Sequence, residues 1–235
     1  MSKAQFWIIL LIFVALFTVI TIIAGKSIRI PLWKRMILWV CACVSGYFGG
    51  RLMAWIESGA TSGYSFFGAH FFGPLGMLLA AYILRISADN KERFSDIIAS
   101  CLSGCVFIMK INCCLAGCCF GRVLWTTASG ASVRFPSQIA ESALALALMI
   151  YLLIAFRSGK YRGTLMWRYY IIYGVIRFIM NLLRETTPFV GILPAGNFWS
   201  LISIALGFFF LYVHKLRMQE RQSKKRILHS HSGRR

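Results

Sequence analysis

The run FWIILLIFVALFTVITIIAG, Phe6 to Gly25, contains no charged side chain, and its only hydroxyls are two threonines. Wound as a helix at ~1.5 Å per residue it is about 30 Å long, the thickness of a bilayer's hydrocarbon core. It is too long for the apolar part of a signal peptide. Its flank MSK is weakly basic, and no small-x-small cleavage pattern precedes Lys26, so it reads as a retained anchor. The remainder of the 235 residues has the same character, with 58% hydrophobic and 14% charged residues. A water-soluble domain carries about 25% charged residues. The sequence therefore specifies an integral membrane protein built from helices.

Seven spans are expected, near 5–24, 36–56, 65–86, 96–120, 137–156, 163–183 and 197–214. Cations are distributed unevenly between them. The connector GKSIRIPLWKR holds Lys26, Arg29, Lys34 and Arg35; the third connector holds Arg85, Lys91 and Arg93; RSGKYRG holds Arg157, Lys160 and Arg162. With the tail beyond His214 these account for 18 of the 26 Lys and Arg residues. The opposite connectors carry only Arg122, Arg134 and Arg184, with Lys3 at the terminus. Positive charge stays cytoplasmic, so the amino terminus is placed outside and the carboxyl terminus inside. Residues 1–214 form one transmembrane domain, and 215–235 form a basic cytoplasmic tail that attracts anionic lipid headgroups. This location accounts for the formal charge of +19 without a nucleic-acid partner, and His229 and His231 read as solvated tail residues.

Cations inside spans are the exception that carries function, because hydrocarbon penalises charge. Arg168 lies near a helix end and can snorkel. Arg51 lies 15 residues after Met36, Lys110 lies 14 after Asp96, and Arg177 lies 14 after Gly163. Each is lifted roughly 21 Å from the inner face. Helices entering from the other side bring His70 and Glu141 to a similar depth. Tyr170, Tyr173, Gly174, Arg177, Asn181 and Arg184 recur at helical spacing and form a polar stripe that cannot face lipid tails. A network closed by Glu141 or Glu185 is the structural alternative. Three cations against few acids favour an anion, and a phospholipid phosphate fits the guanidinium fork.

The stretch KINCCLAGCCFGR, Lys110 to Arg122, ends the fourth span. Gly117 and Gly121 predict a broken or re-entrant segment near 110–122. Cys113, Cys114, Cys118 and Cys119 are spaced C-C-x3-C-C, which matches neither a zinc knuckle nor an iron–sulfur site. A close-packed pocket wall is expected here, with no metal and no cofactor. A disulfide or a redox carrier is the alternative.

Several short motifs then align in order with one family. GGRLMAW (Gly49–Trp55) resembles the Gly-Arg-Leu end of the second span of the bacterial prolipoprotein diacylglyceryl transferases, and YSFFGAHFFG (Tyr64–Gly73) is similar to their Ser-Phe-His-Gly-Gly segment. KINCCLAGCCFGR resembles the signature Gly-Arg-x-Gly-Asn-Phe. RFPSQIAE (Arg134–Glu141) resembles Arg-His-Pro-Ser-Gln-Leu-Tyr-Glu. YGVIRFIMNLLRE (Tyr173–Glu185) and GNFWSL (Gly196–Leu201) complete the set. The likeness implies a seven-span enzyme of the bacterial inner membrane that transfers diacylglycerol from phosphatidylglycerol to the lipobox cysteine of a prolipoprotein signal peptide.

By that resemblance Arg177 matches the family's essential arginine and, with His70 and Glu141, makes up the expected catalytic set. Arg51, Lys110, Cys113, Arg122, Gln138, Tyr173, Asn181 and Arg184 are the expected substrate-binding residues, with membrane lipids as further partners. The chain also departs from the pattern. The family histidine is Phe67, its signature Arg, Asn and Glu are Lys110, Cys113 and Cys118, and its Gln-Leu-Tyr-Glu tyrosine is Ala140. The Glu after the essential Arg is Asn181. His70, three residues after Phe67, shares its helix face and is the candidate base; a hydrogen-bonded structural histidine is the alternative. A lipid or lipoprotein binder without turnover, or a thiol-redox membrane protein, would also accommodate these replacements.

Overall fold

Long apolar runs wind into helices because a backbone in hydrocarbon has no water to bond and must close its own hydrogen bonds. The computed structural model describes residues 3–25, 28–59, 63–184 and 188–232, and within them every such run is helical. In chain order the helices are α1 (Lys3–Gly25), α2 (Leu32–Ser58), α3 (Phe66–Ile83), α4 (Ala88–Leu115), α5 (Ser137–Arg157), α6 (Leu165–Leu182) and α7 (Ala195–Ser232). Five helical stretches are long and apolar enough to cross a membrane: α2, α3, α4, α5 and Ala195–Lys224 of α7. Two small hairpins complete the fold, β1 (Val123–Thr126) with β2 (Ser132–Arg134), and β3 (Pro188–Val190) with β4 (Leu193–Pro194).

Neighbours in sequence pack as antiparallel pairs, α2 with α3, α4 with α5, and α6 with α7. The first pair approaches closely because its contact is made of glycines. A Cβ on Gly68 would lie 2.0 Å from the carbonyl oxygen of Gly49. Small residues let membrane helices meet backbone to backbone where no hydrophobic effect drives them together. The core lies between α4, α5 and α6, where Phe94, Ile98, Leu152, Leu165 and Tyr169 are buried.

The fourth helix begins earlier than expected and ends inside the 110–122 stretch where a break is expected. It begins at Ala88, so the charged segment DNKER, read as connector, forms its first turns. Arg93 is nearly buried, its guanidinium carbon 4.4 Å from the Phe156 ring centroid. Asp96 accepts the backbone N–H groups of Gly163 (2.7 Å) and Leu165 (2.8 Å), satisfying the exposed donors at the start of α6. At the other end α4 stays helical through Lys110 and stops at Leu115. The chain then leaves through a turn into the β1–β2 hairpin rather than re-entering as a helix.

That exit is anchored. Arg122 N–H donates to the Leu183 carbonyl at 2.9 Å, and Gly121 forms a β-bridge with Arg184. A Cβ at Gly121 would sit 2.6 Å from the Phe135 carbonyl oxygen, so only glycine fits. The α4–α5 and α6–α7 connections are thereby tied together at one pole of the bundle.

Candidate active site

Helix α4 brings Lys110 to this pole from one side, α6 brings Arg177 from another, and α5 places Glu141 between them. Lys110 Nζ lies 2.9 Å from Glu141 Oε2, and Arg177 donates from one terminal nitrogen to both carboxylate oxygens at 2.7 Å. Glu141 is 1% exposed, whereas the side chains of Lys110 and Arg177 are 12% and 19% exposed. One carboxylate therefore serves two cations, leaving an excess positive charge on the side that remains open. Arg184 lies within electrostatic reach of Lys110 and adds to it.

On the other face of α4, Cys105, Met109 and Asn112 line a cavity of about 570 Å³ between α1, α2, α3 and α4. Its wall is predominantly apolar. Arg51 and Tyr64 also border it, with Arg51 donating to the Gly63 carbonyl at 3.3 Å. Arg51 thus belongs to this cavity, while Lys110 and Arg177 meet at the carboxylate. Phe66 lines the cavity and packs edge-on against Tyr173 at 5.3 Å, which makes it the partition between cavity and charged cluster.

His70 is not brought to the cluster. It is fully buried, with Nδ1 3.2 Å from the Tyr169 hydroxyl and Nε2 2.9 Å from Ser203 Oγ. Ser203 gives its single hydroxyl proton to the Tyr170 carbonyl at 2.8 Å. Nε2 therefore carries the imidazole proton, and Nδ1 accepts from Tyr169. The Tyr170 hydroxyl in turn donates to the His70 carbonyl at 2.8 Å. The ring knits α3, α6 and α7 together and has no nitrogen left for a substrate, so the base role suggested by its register does not fit its surroundings.

The remaining expected residues form two groups. Gln138 donates to the Cys118 carbonyl at 2.6 Å, and Arg122 Nε donates to the Arg184 carbonyl at 3.3 Å; both hold the connecting loops. Tyr173 is buried with its ring stacked on Tyr169 at 5.6 Å. Asn181 fills the space against Gly196, where a Cβ would collide with its carboxamide. Glu185 lies outside the described residues.

Cys113, at the end of α4, comes together with Cys118 and Cys119 of the following loop, the three Sγ atoms lying within 4.8 Å of one another. Arg184 and Lys110 lie within electrostatic reach of Cys119.

One residue at this pole went unnoticed in the sequence. Glu57, in the last turn of α2, is half-buried, accepts from Ser65 Oγ at 2.8 Å and lies within electrostatic reach of Arg177. A carboxylate at a helix end is unremarkable in sequence, and only the fold shows that this end faces Arg177.

The family model for prolipoprotein diacylglyceryl transferase matches residues 7–213 of the chain. A Clostridium perfringens protein named phosphatidylglycerol–prolipoprotein diacylglyceryl transferase 2 is 25% identical over 210 residues, covering 79% of this chain and 81% of that protein. The similarly named Clostridium tetani protein is 33% identical over 121 residues, 47% of this chain and 49% of its own length. A Campylobacter hominis relative with the same name is 28% identical over 173 residues, 69% of this chain and 60% of its own length.

Proposed function

The chain belongs to the prolipoprotein diacylglyceryl transferase family, and from that premise we propose that it moves the diacylglyceryl group of phosphatidylglycerol onto the lipobox cysteine thiol of a prolipoprotein. In this reaction the acceptor sulfur attacks the glycerol carbon next to the phosphate, the carbon–oxygen bond breaks, and glycerol phosphate leaves with the bonding electrons. The chemistry requires a site that favours developing negative charge on the leaving phosphate oxygen and a group that takes the thiol proton.

The observation that carries this reading is the uneven charge of the pole: Lys110 and Arg177 share one sealed carboxylate, with Arg184 near. A phosphate entering from the open side meets donors already oriented by Glu141, so no reorganisation is needed at the moment of bond breaking. The adjoining apolar cavity of about 570 Å³ suits the acyl chains, with Arg51 and Tyr64 at its polar rim. Glu141 is engaged by two cations and closed to solvent. Glu57, half-open and accepting from Ser65 Oγ with Trp199 and Arg177 nearby, is the better proton acceptor for the incoming thiol, because among the described residues no cation is bonded to it and solvent reaches it.

In this reading the protein crosses the bacterial inner membrane seven times with its amino terminus outside. The charged pole then lies beneath the external headgroups, residues 1–214 form the membrane domain, and the basic tail 215–235 lies in the cytoplasm. The test is complementation of a strain depleted of its own transferase, together with transfer of labelled glycerolipid from vesicles to a lipobox peptide. Arg177→Ala is expected to lose transfer by ~100-fold or more, the scale set by removing one transition-state donor. Arg168→Ala, whose guanidinium stacks 3.6 Å from the Tyr161 ring at the far end of α6, is expected to stay near the unsubstituted rate. Equal transfer by both variants would overturn the mechanism.

A further inference from the structure

The proposed transfer uses none of the three converging thiols, and their arrangement asks for its own explanation. Cys118 and Cys119 are adjacent in sequence, a placement that in extended chain sends side chains to opposite sides. Here Cys119 adopts a left-handed backbone with φ of 64°, preceded by Gly117 at 62°. The reversal turns both thiols toward Cys113. Three hydrogen bonds fix it: Cys118 N–H to the Cys113 carbonyl at 3.1 Å, Gln138 Nε2 to the Cys118 carbonyl at 2.6 Å, and Ser137 Oγ to the Cys119 carbonyl at 2.7 Å. A non-glycine residue in this region is strained, and such strain persists only where surrounding structure enforces it. A passive pocket wall gives no reason to enforce it.

We propose that Cys113, Cys118 and Cys119 form a three-thiolate site for a thiophilic d10 cation, Cu(I) or Zn(II). Three sulfur ligands at ~2.3 Å from such an ion stand about 3.8–4.0 Å apart, so thiols already within 4.8 Å of one another need shift by less than about 1 Å. Soft thiolates select these ions over hard ones. Three protein ligands complete a trigonal Cu(I) site and leave a fourth, exogenous position for Zn(II). Charge agrees with geometry. A tris-thiolate carries −2 with Cu(I) and −1 with Zn(II), and Lys110 and Arg184 stand beside it to balance that charge. Cys114 is exposed and lies outside the triangle.

The experiment uses the full chain in detergent, reduced and exchanged anaerobically, then titrated separately with Cu(I) and Zn(II) against a chromophoric competitor. One equivalent per chain of either ion is expected in the wild type and in Cys114→Ser, with loss in Cys113→Ser, Cys118→Ser and Cys119→Ser. Binding should also raise the melting temperature of the wild type, because an ion bound only by the folded state stabilises it. A readout free of substitutions is alkylation followed by mass spectrometry, in which the loaded wild type protects Cys113, Cys118 and Cys119 and leaves Cys114 reactive. Equal binding by wild type and Cys118→Ser, no protection on loading, or a disulfide within the triangle in protein alkylated at lysis would each overturn the site.

Discussion

At the residue scale, Glu141 decides how the pole is arranged. Its two ion pairs orient Lys110 and Arg177, and without it these two largely buried cations would lose the carboxylate they share. Breaking a buried pair by removing one partner costs about 3–5 kcal/mol. Glu141→Gln should therefore lower stability by roughly that amount, read as a fall in melting temperature in detergent, with transfer lost as well. Adding Lys110→Met to Glu141→Gln should restore part of the stability but not the activity. A double variant no more stable than Glu141→Gln would show that the two cations do not compete for one carboxylate. These residues were legible in the sequence because charge in an apolar span is costly and has few structural excuses. The register of His70 with Phe67 makes it a candidate base, yet sequence cannot show that the hydroxyls of Tyr169 and Ser203 already occupy its nitrogens. Cys119 was illegible for a different reason: spacing gives no hint of a backbone with φ of 64°.

Among elements, the helices were readable because hydrocarbon admits few other spanning structures, while the boundaries moved where charge is used structurally. The segment DNKERFS looks like connector and Asp96 reads as the first residue of its span, yet α4 starts about two turns earlier and Asp96, well inside it, caps α6 across the bundle. Two backbone donors converge on its two carboxylate oxygens. Asp96→Asn keeps the shape but offers only one acceptor, and its amide N–H₂ would meet the other backbone donor. Leaving a buried donor unmade costs about 1–3 kcal/mol, and a comparable loss of stability is expected for Asp96→Asn. Asp89→Asn removes an ion pair with Arg162 at 2.7 Å whose partners are 62% and 58% exposed. Solvent screens such a pair, so less than ~1 kcal/mol should be lost. The comparison is made by thermal unfolding of both variants in the same detergent, and equal destabilisation would remove the capping role. The two β-hairpins escaped the reading because strands of two to four residues leave no periodic signal.

For the whole molecule, the antiparallel pairing of helices puts the ends of α4 and α6 and the start of α5 at one pole, with the thiol triangle beside them. The opposite pole collects Lys34, Arg85, Asp89, Arg157 and Arg162 at the ends of α2 to α6. Helix α7 runs on for 38 residues, about 57 Å at the usual rise and well beyond a hydrocarbon thickness of about 30 Å. Its last turns, rich in lysine and arginine, must therefore emerge into water on that basic side. Because moving this many cations across the membrane against the inward-positive bias is strongly disfavoured, the basic pole should face the cytoplasm and the reaction pole the exterior. A green fluorescent protein fused after Arg235 should fluoresce, and alkaline phosphatase at the same junction should be inactive. Inserting the phosphatase between Ser129 and Gly130, in the β1–β2 turn, should give the active enzyme. The reverse pattern would put the charged cluster on the cytoplasmic face, where an exported lipobox cysteine has already left the membrane's inner surface. The orientation measurement therefore bears on the chemistry as directly as any substitution at Arg177.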